Sequence, residues 1–535
     1  MPGVHDAAAA RTPTPARATG CGIRDRMPPS DADSITALRP RARRGPFVTT
    51  DASRALRNAG WLVAQRVLHV AGATLFAVLV PRLLGPAVFG RYALLVSVSL
   101  WFSLLSGLGA VSMLTRSIPR FLAAGDEHGL RRLASSLVLL RALTGACSAA
   151  GYFLVATLLL GEPDLAAAAL VAGAVLCRSV GNLGYSLLLG LNDAARWGMG
   201  ELGRRWLALA LVPAGFLLGG LRGACVGLLA SEALVLGLGI WWVRPYLGRA
   251  FLDLSRQHLA PFLRLGSLFG AGNLLMTLTQ RSGETLVRFS SGSYEEVGYF
   301  GAAYAIYLTL AHALWQVVVS LAPHLVAQVE AGRRDRVARW LERLLAYAVS
   351  VSVLCLAGVV FLGRDLVPLL LGREYSAVAA NLLPMMGTLV VAGAAAVGRL
   401  LALALDRPRP LITAAALELA VFLGLGVPLA MRAGSLGASV ATLPAAVAFA
   451  WYLTWRLRPE LPYALAPARR ALLAAAVFVP LVVLRDGWRL NAALFAGGAC
   501  AYLLVLVRAR VVAVTELAEL RRVLAGPPVE PAPEP

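Results

Sequence analysis

A small set of polar and charged side chains lies inside long apolar stretches of the sequence. A charged side chain at the centre of a membrane-spanning helix costs about 3 kcal/mol unless it has a partner, a water-filled cavity or a short reach to the surface. Guanidinium groups bind anions through fixed hydrogen-bond donors, and carboxylates can take up a proton or a sodium ion. The candidates for such chemistry are Arg178, Arg281, Arg66, Glu284, Arg288, Asn182, Gln280, Glu232, Glu418 and His69.

The deepest cations are Arg178 and Arg281. Arg178 lies near the middle of its apolar stretch, far from either end. Arg281, Glu284 and Arg288 are spaced i, i+3 and i+7 and share one helical face, with Glu284 preceding Arg288 in the favourable order. For Arg178 and Arg281, the lining of a cavity competes with structural pairing to a carboxylate of a neighbouring helix. Two amides lie at similar depths: Asn182 and Gln280.

Four other arginines have a simpler interpretation. Arg66 lies about two turns inside its stretch, and Arg288 lies near the end of its own. Long side chains in such positions extend their charge to the membrane interface, and we expect the same of Arg141 and Arg399.

The acidic residues and histidines are candidates for ion coupling. Glu232 and Glu418 could bind a proton or a sodium ion, or pair with an arginine across the bundle. His69 and His312 are single histidines on mostly apolar faces, which more often belong to a core than to a proton path. No residue cluster has metal-ligand spacing, so no cofactor is expected beyond a coupling H⁺ or Na⁺.

The apolar stretches predict an all-α protein that crosses a membrane many times. Of the 535 residues, 58% are hydrophobic and 15% charged, and the mean hydropathy is +0.70, which a water-soluble core could not hide. A helix of about 20 residues crosses the ~30 Å hydrocarbon layer. About fourteen spans are predicted: Trp61–Val80, Tyr92–Val111, Leu133–Leu160, Leu165–Leu191, Met199–Leu218, Ala224–Val243, Phe262–Val287, Tyr299–Leu321, Leu341–Leu362, Ala379–Leu405, Leu411–Ala430, Leu436–Leu457, Ala471–Leu484 and Leu490–Val507.

The arginines predict the orientation of these spans. A net charge of +21 would suggest nucleic acid as the partner of a soluble protein, but here the arginines cluster at the ends of the stretches, so no nucleic-acid binding is expected. Even-numbered connections hold more arginine than odd-numbered ones, which places both termini in the cytoplasm. Every basic residue is arginine and none is lysine, so we infer a GC-rich genome and a bacterial plasma membrane.

The composition also divides the chain. Residues 1–58 and 511–535 lack an apolar core and predict disordered cytoplasmic tails. Residues 59–250 and 251–459 each predict a six-helix bundle. Residues 460–510 add two C-terminal helices outside the bundles.

An internal repeat relates the two bundles. Phe89-Gly90-Arg91-Tyr92 opens the second span, and Val297-Gly298-Tyr299-Phe300 opens the eighth. An even number of spans per repeat keeps both halves in the same orientation, so the repeat is parallel. Further pairs are Pro119 with Pro323, Gly125 with Gly332, Gly161 with Gly372, and Gly223 with Gly437.

The order and spacing of these motifs carry a family resemblance. Between about Ala59 and Pro459, the chain resembles the polysaccharide-biosynthesis family of lipid-linked oligosaccharide flippases. That family lies in a superfamily with multidrug exporters of the MATE type and peptidoglycan-precursor flippases. The motifs are Leu84-Gly85-Pro86, Phe89-Gly90-Arg91-Tyr92, Gly107 with Gly109, Arg116 to Arg120 followed by Gly125-Asp126, Gly298-Tyr299 and Pro323.

The resemblance implies a V-shaped pair of bundles around a central cavity that opens alternately to each side. It implies polyprenyl-diphosphate-linked sugars as substrates, moved from the inner to the outer leaflet for a surface polysaccharide. The cations would bind the diphosphate, and Glu284 would keep the empty cavity from being excessively positive. The partners implied are the lipid-linked oligosaccharide, membrane lipids, and a polymerase and chain-length regulator of the same pathway.

Three other functions compete with this one. Flipping of a peptidoglycan precursor uses the same physics on a related substrate, and the sequence does not separate the two. Export of an amphipathic cation in the MATE manner predicts an acidic cavity, whereas the charge within the spans is mainly arginine. A polysaccharide polymerase or ligase needs a sizeable external loop, and Gly363–Val378 is too small, so no enzymatic activity is expected.

Overall fold

The computed structural model describes residues 51–107, 114, 118, 121, 125–162, 164–191, 193–247, 274–405 and 407–511. Contacts divide the chain into two units, Met1–Arg57 and Asn58–Pro535, and the second holds every element of the candidate site. Across the described ranges the chain is almost entirely helical and has no strand, so the all-α class is confirmed.

The helices follow one another with short connections. A helical run at 274–281 directly precedes α5, with Ser282 between them. In chain order the helices are α1 (Asp51–Leu105), α2 (Glu127–Leu154), α3 (Leu165–Gly190), α4 (Ala194–Val243), α5 (Gly283–Ser291), α6 (Tyr294–Ser320), α7 (Ala322–Glu330), α8 (Arg334–Leu371), α9 (Val378–Ala404), α10 (Pro408–Leu457), α11 (Ala466–Ala474), α12 (Phe478–Val483) and α13 (Gly487–Arg508).

Ten helical segments among the described residues are long and apolar enough to cross a membrane. Three of these segments, Gln65–Leu105 in α1, Ala195–Tyr246 around α4 and Pro408–Leu457 in α10, have 41, 52 and 50 residues and contain a break, so each of the three provides two crossings. The predicted seventh span, Phe262–Val287, begins outside the described residues and ends within α5. The predicted thirteenth span lies in the 18-residue segment Ala466–Val483. The architecture agrees with about fourteen spans.

The three breaks are much shorter than the loops expected between spans. In α4 the break consists of Gly219 (φ −154°, ψ 26°) and Gly220 (φ 56°, ψ −139°). In α10 it consists of Ala433 (φ −133°, ψ 19°) and Gly434 (φ 55°, ψ −133°). A positive φ is unstrained only for glycine, which explains the residue type at the second position. The same two-residue turn therefore recurs at repeat-related positions.

Other repeat-related glycines also share a backbone conformation. Gly125 and Gly332 have φ values of 68° and 71°, and Gly161 and Gly372 have values of 62° and 107°. The two halves therefore use glycine at matching turns, as the predicted repeat requires. The remaining motif residues Gly109, Arg116, Pro119 and Arg120 lie outside the described residues.

The motifs that open the second and eighth spans pack directly against each other. A Cβ atom at Gly90 would lie 1.9 Å from the carbonyl oxygen of Tyr294, and one at Gly298 would lie 2.1 Å from that of Pro86. Neither position tolerates a side chain, so the backbones of the two halves touch here. The recurring glycine is thus the condition for contact between the halves.

Hydrogen bonds join the halves on both sides of this contact. The guanidinium of Arg82 donates to the carbonyl oxygens of Leu369 (3.0 Å) and Leu370 (3.2 Å), and the hydroxyl of Tyr375 donates to that of Pro81 (2.8 Å). Toward the other end of α1, Arg66 Nη1 donates to the carbonyl oxygen of Gln316 at 2.9 Å. Sixteen helical residues separate Arg66 from Arg82, about 24 Å of helix axis.

Aspartates begin the helices that carry most charges of the first half. Asp126 caps α2, Asp164 caps α3 and Asp193 caps α4, each accepting a hydrogen bond from a backbone N–H three residues ahead. Arg222 Nε donates to both carboxylate oxygens of Asp164, at 3.0 and 2.8 Å. This pairing lowers the pKa of Asp164, which lies in the connection outside the membrane-spanning segments.

Each half packs mainly within itself. In the first half α3 packs along α2 and α4, and in the second α9 packs along α6, α8 and α10. The C-terminal helices α11 and α13 pack against α8. Large apolar side chains remain on the outer surface, including Leu218 (90% exposed) and Val483 (85%), as expected of a surface that faces lipid.

The contact between the halves predicts an unusual response to alanine. Alanine in place of glycine normally stabilises a helix by about 1 kcal/mol. We expect Gly90→Ala instead to lower the midpoint of thermal unfolding of the purified protein, because its Cβ meets the Tyr294 carbonyl.

Gly497→Ala in α13 is the matched control, since a Cβ there meets nothing within 4 Å. An unfolding midpoint for Gly90→Ala at or above that of Gly497→Ala would contradict the close approach of the two halves.

Candidate functional site

A cavity of about 500 Å³ lies between the two halves. Both halves contribute polar side chains to its wall, so a change in their relative position would change the cavity. Its ionisable and amide residues are His69 from α1, Arg178 and Asn182 from α3, Glu201, Arg204, Arg205 and Glu232 from α4, Gln280 and Arg281 from the run 274–281, and His312 from α6.

Glu232 is a buried carboxylate held between two arginines. Arg178 Nε donates to Glu232 Oε1 at 2.9 Å, and Arg178 Nη2 makes a second hydrogen bond with the same oxygen. Arg204 Nε lies 3.3 Å from Glu232 Oε2, an ion pair without hydrogen-bond alignment. The Glu232 side chain is 1% exposed, whereas those of Arg178 and Arg204 are 16% and 18% exposed. The anion is thus sealed in the protein while both cations reach the cavity.

Two further arginines of the cavity have no anionic partner in the part of the chain that the structure describes. Arg205 Nη2 lies 3.5 Å from His69 Nε2, and among the described residues no carboxylate oxygen forms an ion pair within 4.0 Å with Arg205 or Arg281. Glu201 and Glu284 act on these two arginines only from farther away. Arg178, Arg204, Arg205 and Arg281 therefore face the two carboxylates Glu201 and Glu232, and the formal charge of the wall is positive. Such a wall attracts anions and repels cations.

A second cavity, of about 350 Å³, lies within the second half. It contains one acidic and one basic side chain, Glu418 and Arg399, which do not form an ion pair within 4.0 Å. The guanidinium of Arg399 instead lies over the ring of Phe449, 4.7 Å from its centroid. Gln280, Leu308 and His312 line both cavities, so the two are neighbours with a shared wall.

Most of the predicted site residues converge on these cavities. The central cavity contains six of them: Arg178, Arg281, Asn182, Gln280, Glu232 and His69. The second cavity contains Glu418 and again Gln280. The alternatives weighed for Arg178 coexist, because it lines the cavity and pairs with a carboxylate of a neighbouring helix.

The other three predicted residues lie outside both linings. Arg66 joins the halves through Gln316, and Glu284 is 3% exposed, with one carboxylate oxygen that lacks a hydrogen-bond partner among the described residues. Arg288 lies over the ring of Tyr294, 4.0 Å from its centroid, and donates to the carbonyl of Gly292. These contacts favour structural roles for Arg66 and Arg288.

Some expectations from the sequence were wrong. Arg141 does not reach the membrane interface: it is 4% exposed and donates to Ser106 Oγ at 3.1 Å. Arg399 lies inside the second half and lines its cavity. Arg204 and Arg205 were counted with an even-numbered connection in predicting the orientation, but they belong to α4 and face the central cavity.

One signal in the sequence could have identified the missed residues. Glu201, Arg204 and Arg205 are spaced i, i+3 and i+4, which places them on one face of a helix. That helix begins after Asp193, so all three lie two to three turns inside it and not in a loop. Arg399 gives no comparable local signal.

The sealed carboxylate leads to a prediction about stability. Glu232→Gln keeps the shape of the side chain but removes its negative charge. Arg178 and Arg204 then lie close together without a carboxylate between them. Breaking a buried ion pair on one side costs about 3–5 kcal/mol, so the midpoint of thermal unfolding should fall sharply.

Glu330→Gln is the control, since Glu330 is exposed at the end of α7. The double variant Glu232→Gln/Arg178→Gln should recover part of the loss. Equal midpoints for Glu232→Gln and Glu330→Gln would show that the two arginines do not depend on Glu232.

The chain was compared with protein families and solved structures. The family model for polysaccharide biosynthesis proteins matches residues 55–327. No curated protein matches the chain.

Solved structures of membrane transporters share the fold. The lipid II flippase MurJ in an inward closed conformation has a TM-score of 0.66 at 14% identity, covering 84% of this chain and 98% of the flippase. An inward-facing multidrug resistance MATE family transporter of the MOP superfamily has a TM-score of 0.61 at 16% identity, with 74% and 95% covered. A MOP superfamily transporter from Pyrococcus furiosus Vc1 has a TM-score of 0.55 at 15% identity, with 76% and 96% covered.

These similarities agree with the architecture of the chain. Its helices are those of a multi-pass membrane protein, and the proteins that share its fold are transporters and flippases, not enzymes. Since the family model covers half of the sequence, the chain belongs to the polysaccharide biosynthesis protein family.

Proposed function

We propose that this protein translocates a polyprenyl-diphosphate-linked oligosaccharide across the bacterial plasma membrane by alternating access. The glycan would serve a surface polysaccharide such as O antigen, exopolysaccharide or capsule. The observation that carries the proposal is the positive central cavity, in which Arg205 and Arg281 have no carboxylate partner among the described residues.

The chemistry of the substrate matches this cavity. A diphosphate diester carries two negative charges and no positive one, and guanidinium groups offer it several hydrogen bonds in fixed geometry. Arg178 and Arg204 remain accessible from the cavity although Glu232 holds them in place. Two arginines positioned by an anion and two without one can therefore surround the diphosphate.

Alternating access requires that the halves separate on one side and then on the other. Among the described residues, the contacts that join them include a glycine backbone contact at Gly90 and Gly298, hydrogen bonds from Arg82 and Arg66, and apolar packing of both halves in one core. Rocking about the glycine contact would have to part this apolar packing on one side of the membrane at a time.

Export of an organic cation is the less favoured alternative. A wall with four arginines and two glutamates repels cations, whereas such an exporter needs an acidic site. Among the structures of the same fold, the transporter from Pyrococcus furiosus is described as having a binding pocket of reverse polarity that suggests a different function. Pocket charge is thus a reasonable guide to substrate within this fold.

Flipping of a peptidoglycan precursor is the nearest alternative. The chain shares its fold with the lipid II flippase, and this similarity favours the alternative. Both substrates present a diphosphate, so the central cavity does not separate them. Neighbouring genes for glycosyltransferases and a chain-length regulator would favour the surface polysaccharide, and cell-wall genes the precursor.

The proposal includes an orientation and an energy source. Both termini lie in the cytoplasm, and the pathway partners are the polymerase and the chain-length regulator. Coupling to H⁺ or Na⁺ would use Glu418 or His69 more readily than Glu232, because two arginines already hold Glu232 as an anion. No catalytic step and no nucleic acid is involved.

Arg281 provides the sharpest test, because it faces the cavity without an ion pair whose loss would disturb folding. We expect Arg281→Gln to lower translocation by one to two orders of magnitude, the effect of losing a hydrogen bond to a charged group. The measurement is surface glycan in a deletion strain that expresses the variant, together with lipid-linked repeat units on the cytoplasmic leaflet.

Arg432→Gln is the matched control, since Arg432 is exposed at the turn within α10. Both variants should accumulate in the membrane at the wild-type level. Full surface glycan in the Arg281→Gln strain would refute the cationic binding site, and normal glycan in the deletion strain would refute the proposed function.

A further inference from the structure

The cavity within the second half is not explained by a diphosphate site. Its two charged residues, Arg399 and Glu418, have opposite signs, so its formal charge is zero. A second anion site would need an excess of cations, which only the central cavity provides. The cavity measures about 350 Å³, which is within the range of about 300–1,000 Å³ for small-molecule sites.

One side of this cavity is aromatic. Phe300 stacks on Tyr304 with ring centroids 5.6 Å apart and planes at 12°, and Tyr304 contacts Tyr307 at 5.5 Å. Trp315 lies on the same wall. Phe300 and Tyr304 are only 1% and 8% exposed, so the rings open to the cavity are those of Tyr307 and Trp315, which combine apolar faces with phenolic and indole hydrogen-bonding groups. They suit a flat ligand that is apolar on its faces and polar at its edge.

The other side presents donors and acceptors that are not used up by each other. Glu418 makes no hydrogen bond or ion pair with the described residues, and Arg399 Nε is buried without a hydrogen-bond partner there. The hydroxyls of Thr388 and Thr442 in the same wall are by contrast already paired: they share a hydrogen bond of 2.9 Å, and Thr442 Oγ1 also donates to the Ser439 carbonyl oxygen at 2.7 Å. A ligand that satisfies both a carboxylate and a guanidinium must donate and accept hydrogen bonds, as hydroxyl groups do.

The cavity within the second half lies beside the proposed diphosphate site. Gln280 lines both cavities and is the chain neighbour of Arg281, and Leu308 and His312 complete the shared wall. A diphosphate bound at Arg281 therefore has the second cavity beside it. In a lipid-linked oligosaccharide, two groups are bonded directly to the diphosphate: the polyprenyl chain, which belongs in the bilayer, and the first sugar.

We infer that the cavity within the second half binds an uncharged sugar ring, the one attached directly to the diphosphate of the substrate. This inference rests on the proposed function and adds a sugar subsite to it. The side chains of Tyr307 and Trp315 face the plane of the sugar ring, and Glu418 and Arg399 hydrogen-bond to hydroxyl groups at its edge. The second half thereby selects the glycan, while the first half supplies most of the positive charge.

The test compares probes of equal charge that differ only in the sugar. P1-farnesyl-P2-methyl diphosphate contains the diphosphate diester without a sugar, and the matching glucosyl, galactosyl and N-acetylglucosaminyl diesters contain one. Binding to the purified full-length protein in detergent is measured by isothermal titration calorimetry. We expect at least one sugar probe to bind about tenfold more tightly than the methyl probe, as hydrogen bonds to charged groups allow.

Variants test whether the tighter binding of the sugar probes arises in the second cavity. Glu418→Gln should remove most of the tenfold preference and leave binding of the methyl probe unchanged, and Tyr307→Phe should reduce the preference without affecting the methyl probe. Arg281→Gln should weaken all probes equally. Glu330→Gln is the control and should change nothing. Unchanged methyl-probe binding shows that Glu418→Gln and Tyr307→Phe are folded, and an unfolding midpoint equal to that of Glu330→Gln shows the same for Arg281→Gln.

The outcomes separate the inference from the function on which it rests. If every sugar probe binds no more tightly than the methyl probe, or if Glu418→Gln and Tyr307→Phe weaken all probes alike, the sugar subsite is wrong and the diphosphate site stands. If the methyl probe does not bind to the wild type, or if Arg281→Gln binds it normally, the proposed function itself fails.

Discussion

The free-energy cost of placing a charge in an apolar interior constrains where this protein can hold its arginines. An arginine within a bilayer must be paired, hydrated or close to the surface. Glu232 resolves this for two arginines at once, because it is sealed in the protein and holds Arg178 and Arg204 at the cavity wall. The carboxylate is therefore the element that allows a positive cavity to exist. The aspartate caps of α3 and α4 fix the two helices that carry this group.

The second constraint is the close approach of backbones. In lipid there is little hydrophobic driving force between helices, so small residues that allow contact decide where helices meet. The glycine motifs do this between the halves at Gly90 and Gly298, and within each half at Gly223 and Gly437. Duplication of the sequence has thus placed glycine both at helix contacts within each half and at the contact between the halves.

Much of this architecture could be predicted from the sequence, because span length and arginine placement follow from bilayer thickness and charge. The repeat could also be predicted, because turns with a positive φ require glycine and glycine therefore recurs at matching positions of the two halves. The breaks within α1, α4 and α10 each lie in a predicted connection between spans, but their length of one or two residues was not predicted. The sequence predicts how deep a residue lies along a helix, but it does not predict toward which neighbour the side chain points around the helix axis. That is why Arg204, Arg205 and Arg399, which line the cavities, were not among the predicted site residues, whereas Arg66 and Arg288, which lie outside both linings, were.

The turns at Gly220 and Gly434 have a wider consequence. Two crossings joined by two residues leave almost no polypeptide beyond the membrane at those points. At those two points the protein therefore offers antibodies and proteases almost no exposed chain to bind or cut.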